Sequence, residues 1–342
     1  MDIDYLLALQ EFRDATGGAL DSFMNGVSQA DVVLCGLILQ SLILWCVNRE
    51  AGMFLLLANG IGGCLNTLVK NIACVYRPWI RSSALHPVAE AVPDATGYSF
   101  PSGHTQTVTK ALGGIATVWR KKRWLVVLCV VGILLVGFSR NYLGVHTPQD
   151  VLFGIIVGIA GIAIAWWVYR FGEHGGKHDI IVLVVGLVLC AVFVIFCLLK
   201  PYPYDYVDNQ LLVDPEEMVK GCFVAAGLLA GSLIAWFCER RWVQFSVEGS
   251  TGTRIVRAII GLVILAVIMY GAKAPLVALL GVDAGSFARY MLLALTAGLF
   301  YPMAFSAVQR RRASKNGSLN SCEEESPSLV KPKDAGNDDV AK

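Results

Sequence analysis

Three short clusters carry the residue types that phosphate chemistry needs. The first is Lys70 with Arg77-Pro78, the second Pro101-Ser102-Gly103-His104, and the third Ser139-Arg140 with His146 and Asp150. A phosphate ester needs fixed donors on its oxygens, and its transition state spreads charge over those same atoms. Lys70, Arg77 and Arg140 supply three cations, and a guanidinium can grip two oxygens at once. Ser102 adds a hydroxyl. The backbone N–H groups of Gly103 and His104 stand where a helix is expected to begin, a ready anion site. Gly103 has no Cβ to keep the backbone away from the anion. His146 lies four residues before Asp150, across a helix start. The aspartate can therefore fix the tautomer of the ring and leave its other nitrogen free to attack. His104, beside the cradle, is placed to protonate the leaving alcohol. Attack gives a phosphohistidine, which water then hydrolyses. No carboxylate cluster offers a magnesium or calcium site, so no metal and no cofactor are expected.

Each cluster also has a bland explanation. Lys70 can snorkel to lipid headgroups, and Arg77 and Arg140 can be interfacial anchors. Thr147-Pro148-Gln149-Asp150 is a good helix-capping sequence in its own right. The chemical reading gains its weight from all three clusters falling at one membrane face.

That face follows from the helices. Hydrophobic residues make up 56% of the 342 and charged residues 16%, against about 25% charged in soluble domains. A net charge of +2 without a basic aromatic stripe argues against a nucleic-acid partner. The cysteines sit in apolar runs, apart from Cys322 in a polar tail, and read as small apolar residues. A spanning helix needs about 20 mostly apolar residues, and nine candidates lie near 31–48, 52–74, 104–119, 124–139, 150–170, 180–199, 219–238, 255–272 and 288–308. The span at 104–119 is rich in Thr, Gly and Lys, and is expected to face a polar interior rather than lipid. Residues 1–30 have no basic start or continuous apolar run, so they read as amphipathic surface helices rather than a cleaved signal. Residues 309–342 read as a disordered tail. Arg49, Arg120–Arg123, Arg170, Lys177, Arg240, Arg241, Arg254 and Arg310–Arg312 collect on one set of connections, with the acidic segment 201–218 on the other. The basic set is expected to be cytoplasmic. The N-terminus and all three clusters then face outward, and the C-terminus inward. His174 and His178 carry no assigned role, and His86, on the active side, reads as an incidental loop histidine rather than a substrate contact. Trp79 and Tyr98 are expected at the interface or in the headgroup pocket, and Lys273 and Glu239 are expected to snorkel.

The pattern Lys70-x6-Arg77-Pro78, Pro101-Ser102-Gly103-His104, Ser139-Arg140-x5-His146-x3-Asp150 resembles the type 2 phosphatidic acid phosphatase superfamily at every motif position. The resemblance is specific over residues 50–170 and extends by helical layout over 30–200. Gly97-Tyr98-Ser99-Phe100 also looks like bacterial members. The resemblance implies an all-α polytopic membrane bundle with a six-helix core and a metal-free histidine mechanism. It implies lipid phosphates or isoprenoid pyrophosphates as substrates. Lys70, Arg77, Ser102, Gly103 and Arg140 would bind phosphate, with His104 as acid, His146 as nucleophile and Asp150 as its partner. The expected division is a surface segment at 1–30, the core at 31–200, three further spans at 201–308 and the tail. These last spans depart from the core pattern. A phosphotransferase with the same nucleophile and a non-enzymatic transporter are the competing readings. The residues set neither the lipid nor the oligomeric state.

Overall fold

Caps and apolar runs together fix the helices seen in the computed structural model, which describes residues 2–172, 175–207 and 210–309, with 30–35 described by backbone alone. The polar tail after residue 309, with Arg310–Arg312 and Cys322, lies outside the described residues, as do His174 and Asp208.

Helix α1 spans Asp2–Ala15, and α2 runs continuously over 21–46 through a π-helical turn at Leu34–Ile38. Helix α3, Arg49–Ala73, starts at Asn48, whose side chain accepts from the Ala51 N–H at 2.8 Å. Helix α4 covers 103–118 with a π-helical turn at Thr109–Gly113. The remaining helices are α5 (Arg123–Tyr142), α6 (Pro148–Gly172), α7 (Lys177–Leu199), α8 (Pro215–Cys238), α9 (Thr251–Gly271), α10 (Lys273–Leu280) and α11 (Val282–Leu295). Between α7 and α8, Tyr206 and Val207 pair antiparallel with Leu211 and Gln210.

Among the described residues, seven helical segments are long and apolar enough to cross a membrane: Arg49–Arg81, Arg123–Tyr142, Pro148–Gly172, Lys177–Leu199, Pro215–Val243, Thr251–Gly271 and Val282–Gln309. Nine were expected from the sequence, and the spans at 31–48 and 104–119 fall short. The apolar part of α2 is only Gly36–Cys46. In α4, Thr105, Gln106, Thr109 and Lys110 are all buried, so its polar side is turned into the bundle and lowers its hydropathy. Helix α3 is central: 72% of its apolar stretch is buried, against 22% for α7 and 17% for α9. The exposed Val184, Val188, Leu189 and Val192 of α7 form the kind of face that suits hydrocarbon.

Side-chain contacts define the two ends of the bundle. At one end Lys200, after α7, reaches Cys74, after α3, with Nζ 3.2 Å from Sγ. Met218 of α8 packs with Tyr98 at the same end. At the other end Arg49 lies 3.5 Å from Glu239, and the Cys46 thiol reaches the Arg254 carbonyl at 3.4 Å. Glu239 is 2% exposed and also accepts from the Phe245 N–H at 3.3 Å. It does not snorkel, because an ion pair and a backbone donor satisfy it inside the protein.

The first thirty residues also differ from a simple surface segment. Arg13 of α1 is buried and donates to the His86 carbonyl at 2.5 Å and the Tyr142 carbonyl at 3.3 Å. Asp21 accepts from the Tyr142 hydroxyl at 2.8 Å, and Met24 packs with Val88, Ala91 and Leu143. Both helices are therefore pinned to the loops at the end that carries the three motif clusters.

The C-terminal spans dock through small residues. A Cβ at Gly227 of α8 would lie 2.3 Å from the Phe287 carbonyl oxygen of α11, and one at Gly231 would lie 2.6 Å from that of Met291. Glycines four apart let two backbones approach this closely. Gly227→Ala is expected to lower stability by about 2–3 kcal/mol, because the clash is with backbone that cannot rotate away. Denaturant unfolding of the purified protein in detergent measures it.

Candidate active site

The site begins with Arg77, the residue before the short helical turn Pro78–Arg81. Proline there fixes the turn and leaves Arg77 extended, which sends its side chain back beneath the loop. The guanidinium is 4% exposed. Its Nε donates to the Gly97 carbonyl at 3.1 Å, Nη2 to the Thr96 carbonyl at 2.8 Å and Nη1 to the Val145 carbonyl at 3.0 Å. Nη1 also lies 2.9 Å from His146 Nε2. An arginine can only donate, so Nε2 must offer its lone pair. The proton of the neutral ring is then on Nδ1.

Nδ1 faces Asp150 Oδ2 at 3.4 Å. Asp150 is held at the start of α6 by a reciprocal cap: its Oδ2 accepts from the Thr147 N–H at 2.8 Å, and Thr147 Oγ1 accepts from the Asp150 N–H at 3.3 Å. Asp150 therefore caps α6 and faces the imidazole with the same carboxylate oxygen. Ser99 donates to the same Oδ2 at 2.6 Å and lies 3.4 Å from Nδ1. Asn141 Nδ2 donates to the His146 carbonyl at 2.9 Å, which fixes the backbone that carries the ring.

His146 is 1% exposed. Burial, followed by the Arg77 charge, pushes its pKa well below the ordinary imidazole value, against the pull of Asp150. A depressed histidine pKa keeps the ring neutral to lower pH. At about pH 6, below the ordinary value of about 6.5, the ring is expected to show the neutral Nδ1–H pattern in ¹⁵N NMR of histidine-labelled protein, assigned by loss of the signal in a His146 variant. A charged ring at that pH would contradict the assignment.

The second cluster lies opposite. Ser102 caps α4: its Oγ accepts from the Thr105 N–H at 3.4 Å and the Thr105 hydroxyl at 3.0 Å. The serine proton is left to give. A Cβ on Gly103 would meet only Asn66 Oδ1, at an ordinary contact distance of 3.9 Å, so the backbone there leaves room for at least a methyl group. His104 Nε2 is buried and has no hydrogen-bond partner among the described residues. Arg140, His146, Arg77 and Lys70 all lie close enough to His104 for their charges to act on it. Lys70 Nζ donates to the Tyr98 carbonyl at 2.6 Å. Arg140 is 1% exposed and its Nη1 donates to Ser28 Oγ of α2. All eight expected site residues thus meet at one end of the bundle.

One of the two aromatics falls differently from expectation. Tyr98 is fully buried against Val213 and Met218, a core residue rather than an interfacial one. Trp79 lies under Arg77, with the guanidinium carbon 5.8 Å from the ring centroid. Ser99, Asn141 and Ser28 had no assigned role in the sequence reading. Ser99 lies in the stretch already noted beside the second cluster, but nothing local links Ser28 to Arg140.

Comparison with known proteins decides the family. A model described as PAP2 superfamily matches residues 51–173, and one described as PAP2 superfamily phosphatase, transmembrane extension, matches residues 223–313. The undecaprenyl-diphosphatase BcrC of Bacillus subtilis is 32% identical over 155 residues, 45% of this chain and 76% of that protein. The chain belongs to the PAP2 superfamily. An undecaprenyl-diphosphatase of the archaeon Sulfolobus acidocaldarius is 30% identical over 117 residues, 34% of this chain and 54% of the relative. The chain thus spans about half the length of that protein. Phosphatidylglycerophosphatase B of Escherichia coli is 35% identical over 74 residues, 21% of this chain and 29% of the relative. No solved structure matches the chain. The first PAP2 match takes in α3 to α6 and every motif residue, whereas the extension match begins within α8 and includes α9 to α11.

Proposed function

We propose that the protein is a metal-independent lipid phosphate phosphatase, acting on a phosphomonoester or pyrophosphate headgroup through a phosphohistidine. The observation that carries this reading is the paired orientation of His146, with Nε2 against Arg77 and Nδ1 toward Asp150. A substrate phosphate entering between Arg77 and Nε2 would take over the arginine donor and meet the lone pair of the ring. The Nε2–P bond forms as the P–O bond to the lipid breaks, and His104 gives its proton to the departing oxygen. Water then attacks the phosphohistidine, with His104 as base, and releases inorganic phosphate and the free ring. Lys70, Arg77, Arg140, Ser102 and the Gly103 backbone would hold the phosphoryl oxygens. Positive charge comes from side chains, and among the described residues no three His, Cys, Asp or Glu are grouped as metal ligands.

The names of the relatives support an isoprenoid pyrophosphate or a phosphatidylglycerophosphate-like substrate. Purified protein is expected to release inorganic phosphate from such lipids at the same rate with and without EDTA. Loss of turnover in EDTA, restored by a divalent cation, would overturn the metal-free reading.

The basic connections lie at the end away from the site, which supports a site on the outer face. Tyr204→Cys, an exposed position at the site end, and Lys121→Cys, at the other, test this in a background with the native cysteines removed. An impermeant maleimide is expected to label Tyr204→Cys in intact cells and Lys121→Cys only after lysis. The reverse pattern would place the site inside.

A further inference from the structure

Helix α3 presents Asn66 one turn before Lys70 on the same face. Asn66 is 6% exposed, and its Nδ2 has no hydrogen-bond partner among the described residues. An unpaired buried amide is costly, and an alanine or leucine at this position of a membrane helix would avoid that cost. Its carboxamide lies beside Gly103, and the next residue, His104, holds a second buried nitrogen without a partner. The two unmet groups come from different helices, α3 and α4, which leave room between them at Gly103.

That space lies one helical turn deeper than Lys70, on the bilayer side of the phosphate-gripping cations. A lipid whose phosphate sits among Lys70, Arg77 and Arg140 must send its stem toward the hydrocarbon. The departing oxygen then falls between the phosphate and the tail, next to His104 and Asn66. We infer that Asn66 contacts substrate on the leaving-group side, its Nδ2–H donating to the departing oxygen while His104 protonates it. The amide thereby stabilises the charge that develops there in the transition state. By microscopic reversibility the same amide orients the water that attacks the phosphohistidine.

This inference rests on the phosphatase reading, and the test separates the two. Second-order rates, kcat/KM, are compared for p-nitrophenyl phosphate, whose leaving group needs little help, and for phenethyl phosphate, an alkyl ester of similar size. Because kcat/KM covers only the steps through phosphoryl transfer to the enzyme, slow release of phosphate does not obscure the comparison. Asn66→Leu is expected to lower kcat/KM by on the order of 10²-fold for the alkyl ester, and far less for the aryl ester. His104→Ala should share that asymmetry, and His146→Ala should abolish both. Asn66→Ala, read alongside thermal unfolding, covers the event that leucine does not pack. Equal losses on both esters, or no loss on either, in a folded Asn66 variant would overturn the role of Asn66 while leaving the phosphatase intact. Absence of phosphate release by wild-type protein from either ester and from lipid phosphates would overturn both.

Discussion

His146→Ala is expected to lower phosphate release by about 10⁴-fold or more, because it removes the proposed nucleophile rather than a donor that helps it. The ring makes few structural contacts that others do not share. Val145 still accepts from Arg77 Nη1, and Asp150 Oδ2 still receives Ser99 and Thr147. The variant should therefore fold, with a loss of about 1 kcal/mol for the missing hydrogen bond. Phosphate release, thermal unfolding and trapping of an acid-labile, base-stable phosphoenzyme together check the claim. The wild type should trap label and the variant should not. Hydrolysis retained in a folded variant would end the phosphohistidine mechanism.

Arg77→Lys is expected to fail in a different way. An ammonium keeps the charge but cannot span the Gly97, Thr96 and Val145 carbonyls and the His146 ring as the planar fork does. Two or more buried acceptors lose their donor, so stability should fall by about 2–3 kcal/mol. The loop 96–99 also carries Ser99, the partner of Asp150, so orientation of the nucleophile suffers along with phosphate binding. A fall in kcat/KM of about 10²–10³-fold is expected. Rates measured beside denaturant unfolding distinguish this from His146→Ala, which loses activity without comparable loss of stability. A lysine variant with wild-type stability and rate would show that the guanidinium geometry is dispensable.

The motif residues were legible because their spacing encodes local structure. Thr147-Pro148 and Ser102-Gly103 start helices, and helix starts fix where Asp150 and His104 stand. The C-terminal spans were legible from apolar length alone. Other parts depend on contacts that no local pattern encodes. Ser28 meets Arg140 across 112 positions, and Arg13 reaches the Tyr142 carbonyl across 129, which pins the N-terminal segment to the loops that carry the motif clusters. Asn66 is one polar residue in a largely apolar helix, and its importance appears only once Gly103 is seen beside it. Two of the nine expected spans fall short of the length and hydropathy of a spanning helix for a physical reason. Helix α4 owes its place to helices packed around it, which permits the buried Gln106 and Lys110 that hydropathy penalises. Glu239 read as a snorkelling charge because its partner, Arg49, is distant in sequence.

Tyr98 sits fully buried against Val213 and Met218 while its carbonyl holds Lys70. The neighbouring Gly97 carbonyl holds Arg77. The stretch that holds two of the proposed phosphate ligands thus has its back wall supplied from beyond residue 200. A chain cut back to the six-helix core would expose that wall to solvent or lipid and let two cations drift apart. The chain beyond residue 200 acts as a buttress for the proposed anion pocket, so substitutions at the foot of α8 are expected to alter the rate without touching a substrate.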